Sequence, residues 1–111
     1  MSYGAERGFS APPEVVFNTV SDPDRRSGWL PVGLPPPDST DASRMRLEWS
    51  AGGASGRGGY LQVREVPSGG ASVVWSLDDA LGERTRVGLP RVLDEALANL
   101  AREVADNLTP G

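Results

Sequence analysis

The chain contains no cysteine, no histidine and no lysine. Without cysteine there is no disulfide, no thiolate nucleophile and no cysteine-based metal site. Without histidine the commonest acid–base group and zinc ligand is missing as well. Every basic residue is an arginine, 11 of them against 15 acidic residues, for a net charge of −4. No basic run is present, which argues against a nucleic-acid footprint. No apolar run approaches the ~18 residues of a membrane span, and no signal-peptide pattern opens the chain. The expected location is therefore cytoplasmic. No residue pattern implies a cofactor. Aromatic residues are few, at 6%, yet 3 of them are tryptophan.

What is present fits one domain spanning residues 1–111. The strongest signal is Pro90 to Leu108. Leu93, Ala96, Leu97, Leu100, Ala101, Val104 and Leu108 fall on one face at helical spacing. Arg91–Glu95 and Arg102–Asp106 are spaced as i,i+4 ion pairs on the opposite side. Pro90 suits the first helical position, and Pro110-Gly111 follows the last turn. A helix this one-sided needs a surface to cover.

The upstream chain reads as sheet interrupted by two short helices. Tyr3 to Ser10 is a weak strand, because Arg7 falls on the parity of Tyr3, Ala5 and Phe9. A helix follows, capped by Ser10 or Ala11, with proline in its first turn and Val16, Phe17 and Val20 on its buried side. Asp22-Pro23 starts a second short helix that ends near Gly28. Pro31 to Ser43 shows no periodicity and reads as a loop. Arg44 to Ser50, Tyr60 to Val66 and Ala71 to Leu77 alternate as strands, joined by Gly52–Gly59 and by a turn at Pro67–Gly70. Thr85–Val87 is a further short extended candidate. The expected fold is α+β: a curved antiparallel sheet of four or five strands gripping a long C-terminal helix.

Two segments resemble a known superfamily. Phe9-Ser10-Ala11-Pro12-Pro13-Glu14-Val15-Val16-Phe17, followed by Asp22-Pro23-Asp24 and Trp29-Leu30-Pro31, is similar to the N-terminal region of START-like proteins, the polyketide cyclase/dehydrase and birch-pollen-allergen relatives. Leu93-Asp94-Glu95-Ala96-Leu97-Ala98-Asn99-Leu100 resembles their closing helix. The resemblance implies a helix-grip fold with an apolar ligand cavity between sheet and helix. Family members carry more strands than Arg44 to Gly88 accommodates, so a shortened version is expected. The superfamily has no shared catalytic set, so no catalytic residue is carried over.

Parity defines the candidate ligand site. Met45, Leu47 and Trp49, Leu61 and Val63, and Val73 and Trp75 place apolar side chains on one side from three strands. Leu93, Leu97 and Leu100 would roof this floor. Trp29 and the loop from Pro31 to Ser43 would cover its mouth. The tryptophans suit either a filled core or a pocket wall. Glu65 shares the inward parity of Leu61 and Val63, but stands at a strand end. Gly52–Gly59 lacks the Lys-Ser/Thr ending of a phosphate loop and reads as a hairpin connection. Asp78-Asp79 reads as a turn, since calcium loops need more oxygen ligands. Arg44, Arg46, Arg64, Glu48 and Gln62 form the expected solvated face, with cross-strand ion pairs.

The expected function is binding of a small apolar molecule, lipidic or polyketide-like. The alternatives are a non-catalytic homodimeric interaction module with a filled cavity, or a cyclase or dehydratase on the same fold. A sheet short of strands leaves an open edge, which suits a homodimer. Charged residues could guard that edge and leave a monomer.

Overall fold

Ala71, Val73, Trp75 and Leu77 alternate with half-buried residues and make the strand β5 (Ala71–Asp78) a fully packed inward row. The same alternation buries Leu61 and Val63 in β4 (Gly59–Glu65) and Leu47 and Trp49 in β3 (Arg46–Trp49). With β1 (Ser2–Phe9) and β2 (Ser39–Asp41) these form one antiparallel sheet in the order β1-β5-β4-β3-β2. This is the arrangement of a computed structural model that describes residues 2–31, 34–50, 58–78 and 89–108. The register sets Ala5 opposite Trp75, Leu61 opposite Trp75, and Leu47 opposite Leu61, so one apolar band runs across four strands. Most of Gly52–Gly59, together with Asp79 and Thr85–Val87, lies outside the described residues.

The long helix α3 (Leu89–Leu108) buries Leu93, Ala96, Leu97, Leu100 and Val104. These are five of the positions that the helical spacing singles out, because residues three and four apart share a face. Arg91 and Glu95 approach to 3.6 Å on its exposed side. The other expected pair does not form. Asp106 meets Arg25 at 3.1 Å, and Arg102 donates to the side-chain oxygen of Asn99. A cation brought in by tertiary folding displaces the helical neighbour.

The helix α1 (Pro13–Ser21) is capped by Pro12 rather than by Ser10 or Ala11. No side chain caps it. The Pro12 carbonyl accepts from the amides of Val15 at 3.1 Å and Val16 at 3.2 Å. Pro13 sits where a helix has no use for an amide hydrogen. Val16, Phe17, Thr19 and Val20 are buried. Asp22 then caps the next turn by accepting from the Asp24 amide at 2.9 Å. A 3₁₀ turn, Pro23–Arg25, leads into α2 (Arg26–Trp29).

Two strand expectations need correction. The stretch read as an aperiodic loop contains β2, whose three exposed residues pair with β3, Ser39 opposite Glu48. Asp38 brackets this pair: its amide donates to the Glu48 carbonyl at 2.8 Å, and its carboxylate accepts from the Ser50 amide at 2.7 Å. Met45, read as an inward strand residue, has φ 53 and belongs to the preceding turn. Asp41 organises that turn, accepting from the Ser43 hydroxyl at 2.6 Å and from the amides of Ser43 and Arg44. The β4–β5 turn uses Gly69 at φ +93, a conformation that costs glycine little.

The outer face is held differently from the expected cross-strand ion pairs. Arg46 pairs with Glu48 on its own strand at 3.0 Å and donates to Gln62 across the ladder at 3.4 Å. Its guanidinium also lies 4.1 Å from the centre of the Tyr60 ring. Arg44 turns back to Asp41 at 3.7 Å.

Candidate functional site: the space between sheet and long helix

The centre of this space is Trp75, at the middle of β5 and fully buried. Trp49 stacks on it from β3, with centroids 5.5 Å apart and planes at 22°. Trp29, at the end of α2, meets it edge-on at 5.4 Å and 67°. Both geometries suit the aromatic quadrupole. Leu47, Leu61, Val63 and Val73 are buried on the same sheet face, and Leu93, Leu97 and Leu100 of α3 belong to the same cluster. Only Met45 departs: it is half-buried and packs against the edge of the cluster.

Trp29 is not a cover over a mouth. It is 1% exposed and sits in the core. Part of the loop behind it does close over the aromatic group. Leu34 packs against the cluster, and the Pro35 carbonyl accepts from the Trp49 indole at 2.9 Å.

The polar groups of this space were not legible in the sequence. The indole N–H groups of Trp29 and Trp75 are buried and have no hydrogen-bond partner among the described residues. Nothing in a residue pattern reveals which way an indole nitrogen points. A buried donor without an acceptor costs ~1–3 kcal/mol, so two beside each other in one cluster are conspicuous. In α2 the Nε of Arg26 is also buried without a partner among the described residues.

Glu65 is exposed, and so is Asp78 at the end of β5. Among the described residues two groups are clearly shifted, and neither belongs to the apolar cluster. Arg25 is raised, chiefly by its hydrogen bond to Asp106. Asp41 is lowered, chiefly by the Ser43 hydroxyl. Trp29 and Trp75 thus carry buried donors within an otherwise apolar cluster.

No protein-family model and no curated protein matches the sequence. Solved structures do. TTHA0849 from Thermus thermophilus superposes with a TM-score of 0.73 at 18% identity, covering 98% of this chain and 100% of that one. The Aha1 dimer from Colwellia psychrerythraea gives 0.73 at 11% identity, covering 94% and 96%. DynU16, from the dynemicin biosynthetic locus, gives 0.65 at 12% identity, covering 94% of this chain and 47% of that one.

The fold is START-like.

Among the described residues the START-like helix-grip arrangement has five strands and is closed by α3. Among the described residues, no helix is long and apolar enough to cross a membrane.

Proposed function

We propose that the chain binds a small, mostly apolar molecule between the inward sheet face and α3. Trp29 and Trp75 would act as hydrogen-bond donors to it, and Trp49 as a stacking wall. The supporting observation is the pair of buried indole N–H groups without an acceptor. The contact surface would come from Leu47, Leu61, Val63 and Val73 below and Leu93, Leu97 and Leu100 above, with Met45 at the edge. Lipidic and polyketide-like molecules with a carbonyl oxygen have the right chemistry. Tryptophan fluorescence titrated with apolar aromatic ketones tests the reading, on the parent and on Trp75→Leu. Saturable quenching in the parent that is lost in the variant supports it. An unresponsive parent removes it.

A second reading is a homodimeric interaction module. It draws on the packed core and on β1, which is terminal in the sheet among the described residues. Among the similar structures, one is itself described as a dimer. Light scattering at high protein concentration distinguishes the cases, since a monomeric mass removes the dimer. Arg7→Val should strengthen any pairing through β1, because an inward-pointing charge on an edge strand opposes it.

A further inference from the structure

Arg7 breaks the pattern of its strand. The register sets it opposite Val73, on the inward parity that Ala5 and Phe9 share. Its neighbour Glu6 lies on the other face, where it accepts from the Ser72 hydroxyl at 2.9 Å. Glu6 therefore does not neutralise it. Arg7 makes no ion pair or side-chain hydrogen bond among the described residues, whereas Arg25, Arg44, Arg46 and Arg91 each hold a carboxylate.

A cleft of about 240 Å³ opens beside Arg7, between the end of β1 and the later turns of α3. Its walls are Phe9, Ala11, Ala101, Val104 and Ala105, with Gly8 and Ser10 at the strand edge. The hydrogen-bond alternation also leaves donors there. The Val63 amide donates to the Met45 carbonyl, so odd residues of β4 face β3 and even residues face β5. Carried through the observed registers, odd residues of β1 bond to β5. The backbone groups of even residues, Gly8 among them, then point to the edge of the sheet that has no neighbouring strand among the described residues.

We infer that this cleft is a second binding site, separate from the space around Trp75, and that it takes a short-chain apolar carboxylate. The alkyl part lies against Ala101, Val104 and Phe9. The carboxylate meets the Arg7 guanidinium, with the Gly8 amide as a further donor. Charge complementarity selects an anion over a neutral chain, and the volume limits the ligand to a short one. The net charge of −4 works against long-range attraction, but that field is screened within about 10 Å in ordinary buffers. A guanidinium–carboxylate contact is local and charge-assisted.

The test is a titration of the ¹⁵N-labelled parent with octanoate, followed by amide and indole N–H shifts. Saturable shifts at Gly8, Ser10, Ala101 and Ala105, with the Trp75 indole unmoved, are the expected result. Octanol should bind at least about tenfold more weakly, as should octanoate to Arg7→Gln, since loss of one charge-assisted contact is worth about that factor. Ala105→Leu, at an exposed position, should block binding without unfolding the chain. Absence of saturation, shifts centred on the Trp29 and Trp75 indoles, or equal binding by Arg7→Gln would each overturn the assignment. Because the readout separates the two sites, it stands or falls independently of a ligand around Trp75.

Discussion

Asn107 donates to the hydroxyl of Thr19 across 3.2 Å, and the two residues stand 88 positions apart. Thr19 is fully buried, and its own hydroxyl donates to the Val15 carbonyl at 2.8 Å. In the 3₁₀ turn after α1, Arg25 reaches Glu103 at 3.4 Å, Asp106 at 3.1 Å and the side-chain oxygen of Asn107 at 3.4 Å. The early helical region and the end of α3 are thus tied by polar contacts as well as by packing.

Thr19→Val keeps the shape of the side chain and removes the hydroxyl. It should destabilise the fold by about 1 kcal/mol, the usual net value of one hydrogen bond plus part of an unmet donor on Asn107. Thermal melting of the single variant, of Asn107→Ala and of the double variant checks this. Additive losses would show that the two residues are not coupled. Arg25→Gln should also lower the melting temperature, by an amount that shrinks in high salt, because its partners are partly solvated.

Leu97 and Leu100 are 1% and 0% exposed beneath α3. Replacing either by Ala should cost about 2–5 kcal/mol as a buried large-to-small change. A melting temperature equal to the parent's would mean that the helix does not seal the core.

Asp41 gives the acid limit a local origin. Its carboxylate accepts three hydrogen bonds within the turn, and its pKa lies below the reference 3.8. A group lowered by folding stabilises the fold fully above its unfolded pKa and loses that contribution as pH falls through the folded one. Melting of the parent should therefore exceed that of Asp41→Asn by a constant margin above about pH 5, and the margin should close below about pH 4. A margin that is independent of pH would mean that the turn does not depend on the charge.

The elements that could be read from the sequence are those whose period matches their burial. Leu93, Leu97 and Leu100 repeat at helical spacing and are buried at that spacing. Val73, Trp75 and Leu77 alternate and are buried alternately. Ser39-Thr40-Asp41 carries no such signal because all three residues are exposed, and backbone pairing alone makes them a strand. Met45 continues the apolar alternation of Leu47 and Trp49, but its positive φ turns the chain out of line first. The Arg102–Asp106 pair failed because Arg25 is a competitor that no local pattern reveals. In the candidate site, parity foretold the burial of Leu47, Trp49, Leu61, Val63, Val73 and Trp75 on one sheet face. The indole donors were not legible, since burial and direction of a nitrogen are properties of the packed state.

The sheet order places β1 beside β5, so the first and last strands among the described residues pair with each other. Strands β2 to β5 follow one another as a meander and can pair through short connections. Phe9 must wait for Ala71, its partner in the register, and closing that long loop costs entropy before any contact rewards it. During synthesis β1 leaves the ribosome before β5 and finds its place only after β5 has emerged. Pulse-labelled hydrogen exchange during refolding should accordingly protect the amides shared by β4 and β5 before those shared by β1 and β5. Until then the inward row of β5 has no neighbour on one side, and Arg7, on the inward parity of the waiting strand, is a charge that discourages β1 from joining the wrong sheet.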